Sequence, residues 1–136
     1  MDSKTWIPAI LLFVACGGIA GAGELPSPRR EKVDFSREVK PLLAEHCFKC
    51  HGPDKSEGGL NLADRSVALK KLESGTTAIV PGNSATSELV RRITHRDRDE
   101  RMPPAEEKPL SQAEIETLRR WVEEGCLLYT SPSPRD

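Results

Sequence analysis

Cys47-Phe48-Lys49-Cys50-His51 is the stretch on which the reading of this 136-residue chain turns. Two cysteines separated by two residues and followed at once by histidine form the C-x-x-C-H signature of covalent c-type haem attachment. The chemistry asks for this spacing. Two thiols add across the two vinyl groups of one porphyrin, and the next residue is then carried beneath the iron, where its ring nitrogen becomes the proximal ligand.

Three other uses of the same residues compete. A redox-active dithiol sets its first cysteine at a helix N-terminus behind a strand, where the dipole lowers the thiol pKa; here a helical pattern runs into the motif and no strand precedes it. A structural zinc site needs four ligands, and beyond Cys47, Cys50 and His51 the central region 33–125 offers only His46 and His95 as further Cys or His. A Cys47–Cys50 disulfide would close a very small loop and stabilise little. A zinc-binding or dithiol module without haem stands as the remote alternative.

Haem iron in electron-transfer proteins commonly takes a methionine thioether as its second axial ligand. Apart from Met1 the chain has a single methionine, Met102, in Arg101-Met102-Pro103-Pro104. Two prolines stiffen that backbone, and the charged neighbours Arg98, Asp99, Glu100 and Arg101 leave no apolar stripe for a core methionine to join. Met102 is therefore the expected iron ligand opposite His51. His95 is its competitor, read as an exposed histidine at a helix end, and His46 is read as a solvated residue or one on the carboxylate side of the haem.

The other two of the four cysteines fall in segments of different character. Ile7 to Ala20 is an apolar run behind Lys4, ended by Ala20-Gly21-Ala22. That is the form of a secretory signal cleaved after Ala22, so residues 1–22 are expected to be removed and the domain exported, to the periplasm or beyond. Phe13-Val14-Ala15-Cys16 permits a lesser variant in which Cys16 carries a lipid anchor. Residues 23–32 are Pro-rich and charged, as a linker is. After Gly125 the pattern breaks, and residues 126–136 read as a translated sequencing adapter rather than native chain, which removes Cys126 from the count.

Between these ends, residues 33–125 are expected to form one small, loop-rich, all-α domain. The chain has 20 Lys plus Arg against 21 Asp plus Glu, a net charge of −1, so there is no basic footprint for nucleic acid. Leu, Ile, Val and Phe make up roughly a fifth of the central region, near the composition of disordered chains. A covalent porphyrin facing Phe35, Leu42, Leu43, Leu89, Ile93 and Trp121 would supply the missing core. Asp34 or Ser36 is expected to cap a helix through Phe35, Val39, Leu42, Leu43 and Cys47. Short helices are expected over 66–72 and 87–93. Ser111-Gln112-Ala113-Glu114 is a capping box for a last helix whose apolar face is Ile115, Leu118, Trp121 and Val122, closed by Gly125. Pro81-Gly82 is expected to bring a backbone carbonyl to the His51 ring.

These blocks, with Val33-Asp34-Phe35, Gly52-Pro53, Gly58-Gly59-Leu60, Ile79-Val80-Pro81-Gly82 and Leu118-Arg119-Arg120-Trp121-Val122, resemble a class I cytochrome c domain of the planctomycete cytochrome c type. The resemblance implies one haem c held covalently by Cys47 and Cys50, with His51 and Met102 as axial ligands. It implies one-electron transfer, or service to a larger exported enzyme whose later domains follow. No catalytic constellation is visible: Glu106-Glu107 and Glu123-Glu124 read as solvated faces, and no small-molecule substrate is evident. Lys40, Lys49 and Lys55 around the attachment motif would steer an acidic redox partner.

Overall fold

The computed structural model describes residues 31–126. The proposed signal 1–22, most of the linker 23–32 with Cys16 before it, and the tail beyond Cys126 lie outside the described residues.

The helical path that delivers the cysteines starts where the sequence places it. Asp34 has extended backbone, and its Oδ1 accepts the Arg37 amide at 3.0 Å, which satisfies a donor that the first turn leaves unpaired. The path is in three pieces rather than one. A π-helical turn, Phe35–Val39, runs into α1, Lys40–His46, and after a break at Cys47 (φ −126°, ψ −38°) into the four-residue α2, Phe48–His51. Pro41 sits in the first turn of α1, where its missing N–H costs nothing. Phe35, Val39 and Leu43 recur at four-residue spacing and are buried.

The middle of the chain is mostly loop. α3, Arg65–Ala68, is shorter than the expected 66–72. Asp64 caps it from the front through the Ser66 and Val67 amides. A turn at Gly75 (φ +83°) and an isolated bridge between Lys71 and Thr77 replace its second half. α4, Glu88–Ile93, agrees with the spacing and buries Leu89, Val90 and Ile93. No strand occurs among the described residues, and none of their helices is long and apolar enough to cross a membrane.

α5, Gln112–Glu123, opens on the capping box, with both the Ser111 and the Glu114 side chains bonded to the other's backbone. It buries Leu118, Trp121 and Val122 on one stripe. Gly125 (φ +90°) ends it in the left-handed region that glycine tolerates. The Cys126 amide reaches back to the Trp121 carbonyl at 2.9 Å and the Gly125 amide to that of Val122 at 3.1 Å, the pairing of a Schellman stop. Position 126 thus completes the helix stop with its side chain buried, one residue beyond the boundary the sequence suggested; burial pushes its thiol pKa to about 12.

α5 packs on the π-turn, where the Phe35 and Trp121 rings lie 5.7 Å apart at 31°. A contiguous apolar core therefore joins Phe35, Val39, Leu43, Leu118, Trp121 and Val122. Each such side chain contributes about 1.5–3 kcal/mol on burial. This core uses protein atoms alone, so the aliphatic shortage read from composition is less severe than it looked.

Candidate functional site

The apolar layer described above leaves a cavity of about 490 Å³ against α1, α2 and α4. Cys47, Cys50 and His51 line it from α2 and its approach, Leu89 and Ile93 from α4, and Met102, Pro103 and Pro104 from the loop that follows α4. The structure brings into this one cavity all four residues singled out by motif and elimination. Both thiols are free. Burial pushes the Cys47 thiol to about 11, so it is held as the neutral SH.

His51 is oriented by backbone. Its Nδ1 stands 3.1 Å from the Glu57 carbonyl. A carbonyl only accepts, so Nδ1 carries the proton and Nε2 is the nitrogen with a lone pair for a metal. The Glu57 carbonyl is presented by the tight turn Glu57–Gly59, in which Gly58 (φ +62°) and Gly59 (φ +75°) are both left-handed. The His51 carbonyl in turn accepts the Leu62 amide at 2.8 Å. Gly52 follows because nothing larger fits: a Cβ there would lie 2.3 Å from the Phe48 carbonyl oxygen.

The expected partner for the His51 ring, Pro81-Gly82, is elsewhere. The Gly82 amide donates to the Val122 carbonyl at 2.7 Å, and buried Ser87 accepts the Val80 amide at 2.8 Å, so that turn is committed to α5 and α4. The Gly58-Gly59 turn, one of the blocks that carry the family resemblance, is the feature that sets the His51 tautomer.

Met102 is held from both sides. Its amide donates to the Arg92 carbonyl at the end of α4, at 3.1 Å. Downstream, Glu107 pairs with Lys49 and Lys108 with Glu45, strapping the loop onto α1 and α2. His95 does not reach this cavity; it borders a second one, also of about 490 Å³, with Arg98 and Arg101, and its Nδ1 is occupied by the Asp97 backbone. Met102 borders both cavities.

Three further expectations change. Of the six apolar residues assigned to the cofactor face, Leu89 and Ile93 line the cavity, joined by Leu60, Leu62, Leu72 and Ala78, whereas Phe35, Leu42, Leu43 and Trp121 do not line it. His46 is not solvated: its side chain is 1% exposed. Lys49 and Lys55 are paired with Glu107 and Glu57, which blunts the cationic face that was to steer an acidic partner. Of the carboxylate pairs at 106–107 and 123–124, Glu107 binds Lys49, Glu123 binds Arg119, and Glu124 accepts the Val33 amide.

The donor set fits a covalently attached haem. Two thiols, an imidazole with its free nitrogen fixed, and a thioether border one largely aliphatic cavity of the size that encloses organic ligands. Among the described residues no group of three or more His, Cys, Asp or Glu stands close enough to hold a bare metal ion.

Residues 47–106 match the family described as Planctomycete cytochrome C. The match starts at the first cysteine of the motif and extends just past Met102-Pro103-Pro104, so it contains every cavity residue named above as thiol, imidazole or thioether donor. No curated protein and no solved structure matches the chain.

Proposed function

The chain carries a planctomycete-type cytochrome c domain, and from that premise we propose that it is an exported single-haem domain of the class I type that transfers one electron at a time. The observation that carries this reading is the single cavity bordered by Cys47, Cys50, His51 and Met102. Haem c would supply a one-electron iron couple. Everything else is the work of this chain's own residues.

Cys47 and Cys50 would hold the macrocycle through thioether bonds, and His51 Nε2 and the Met102 sulfur would ligate the iron. The hydrogen bond from His51 Nδ1 to the Glu57 carbonyl keeps the ring from turning and raises its basicity. The Arg92–Met102 backbone bond keeps the thioether loop at the cavity. A ligand set that is the same in both oxidation states leaves little to reorganise when an electron arrives. Leu60, Leu62, Leu72 and Leu89 exclude water from the centre, which favours the less charged form of the couple.

The leading segment 1–22 would direct export. The test is expression alongside the c-haem maturation machinery, then a denaturing gel stained for haem peroxidase activity. A stained band at the chain's mass is expected, because only covalent haem survives the gel. An unstained band at full yield overturns the haem reading and returns the dithiol one.

A further inference from the structure

His46 is the buried titratable group that the haem-holding scheme does not use. Its side chain is 1% exposed and borders the cavity next to Cys47. Its two nitrogens meet only acceptors. Nδ1 lies 3.2 Å from the Lys108 carbonyl. Among the described residues Nε2 is buried with no hydrogen-bond partner, and two carboxylate oxygens stand near it: Glu114 Oε1 of α5 at 3.6 Å and Glu45 Oε2 of α1 at 4.0 Å.

A carbonyl at Nδ1 requires the proton there, which leaves a bare lone pair at Nε2 turned toward two carboxylates. Both are anions at neutral pH. The Ser111 amide and hydroxyl hold Glu114 below the usual carboxylate range, and the Lys108 ammonium does the same for Glu45. The remaining charges around the ring are already engaged, Lys108 with Glu45 and Glu107 with Lys49. A second proton on His46 would therefore convert an orphaned buried nitrogen into a donor facing Glu114. Glu114 is a quarter exposed and gives that proton a path to solvent.

We propose that His46 is a proton-binding site linked to the redox centre: one proton from solvent joins Nε2 when one electron enters the adjoining cavity, and leaves when it departs. The balance is one electron from an outer-sphere one-electron donor and one proton from water, with only the N–H bond made or broken. The added negative charge in a low-dielectric cavity favours the imidazolium beside it. The chain would then be a proton-coupled carrier whose potential follows pH. This rests on the haem assignment above.

The test is the midpoint potential of the haem-loaded chain, titrated optically at constant ionic strength between about pH 5 and 8, where imidazoles change charge. The potential is expected to fall as pH rises over part of that range, with a slope of at most about 59 mV per tenfold change in proton concentration for one electron. His46→Gln should give a potential independent of pH in the same range. Glu114→Gln keeps the S-x-x-E/Q cap intact and removes one facing charge, so the sloping region should move to lower pH.

A haem-loaded wild type with a flat potential overturns the proposal, as does a slope that survives in His46→Gln. Should His46→Gln fail to accumulate, an unmoved sloping region in Glu114→Gln overturns it equally. A chain that takes up no haem at all overturns the functional assignment, and this proposal with it. The haem stain tells that case apart from the others.

Discussion

The Met102 amide donates to the Arg92 carbonyl at 3.1 Å, so the loop between them is closed main chain to main chain. Arg92 itself is clamped in α4, its Nε on Glu88 Oε1 at 2.8 Å and its Nη1 on Glu100 Oε2 at 2.7 Å. The side chain that would ligate iron is thus registered to a helix whose inner face lines the same cavity, and not left to a free loop.

If Met102 is the ligand, the oxidised haem-loaded chain should show the weak red-end absorption band of an iron–thioether bond, and Met102→Ala should abolish it. The potential should drop in the same variant, on the order of 100 mV, because the thioether favours the reduced iron. His95→Ala should leave both unchanged, since His95 borders the second cavity and not the first. A band that persists in Met102→Ala would assign the ligand elsewhere.

The Gly58 position makes a separate prediction about His51. With φ at +62° and open space around it, Gly58→Val fails through backbone strain and not through a clash. The cost should be about 1–2 kcal/mol. Relief of that strain withdraws the Glu57 carbonyl from His51 Nδ1. The variant should melt lower and show an altered potential, whereas Glu57→Gln, which leaves the carbonyl where it is, should keep the wild-type melt apart from the loss of the exposed Lys55 pair.

How much of this was legible in the sequence follows from where the information sits. Cys47, Cys50 and His51 fall within five consecutive residues, so the motif names its own chemistry. Met102 stands out as the sole internal methionine, beside two prolines, and the structure places it at the same cavity. The capping box at Ser111 and the glycine stop at Gly125 are also local signals, and both ends of α5 were read from them. What the residues did not tell was which apolar side chains face the cavity, because Phe35 and Trp121 choose each other across 86 positions of chain. The carbonyl under His51 was misassigned for a similar reason: a Gly-Gly turn and a Pro-Gly turn look alike until the backbone shows which lies near the ring. His46 was misjudged because its burial comes from Lys108 and Glu114, more than sixty residues away.

Trp121→Ala should destabilise the domain by about 3–5 kcal/mol, the usual cost of emptying a large aromatic site in a core. Trp121 is 1% exposed and stacks on Phe35. Neither residue borders the cavity, so the haem spectrum of whatever folds should be unchanged. Thermal melting followed at the haem band measures both at once, and a spectral change without loss of stability would place Trp121 nearer the cofactor than its contacts do.

The haem-free chain should keep little helix. α2 and α3 have four residues each, far below the length at which a helix holds without tertiary support. Leu60 and Leu72, both half-buried, would border water with no occupant in the cavity. Cys47→Ala/Cys50→Ala should therefore show weak far-ultraviolet dichroism and a broad melt. Native helix content in that variant would mean that the Phe35–Trp121 core suffices alone.

Acid should weaken the domain in a defined direction. Glu114 is held low by the Ser111 amide and hydroxyl, Asp64 by Ser66, and Glu88 by Arg91 and then Arg92. A carboxylate whose folded pKa lies below its unfolded value binds fewer protons when folded, so stability is fully present above the unfolded value and is lost as pH falls through the folded one. The ordinary values are 4.5 for glutamate and 3.8 for aspartate. Urea midpoints should thus hold level from neutrality to about pH 5 and decline below it. Glu88→Gln, which cuts both arginine pairs at the start of α4, should flatten part of that decline and lower the neutral plateau. A midpoint that rose on acidification would mean that repulsion among carboxylates, and not these pairs, governs the domain's charge.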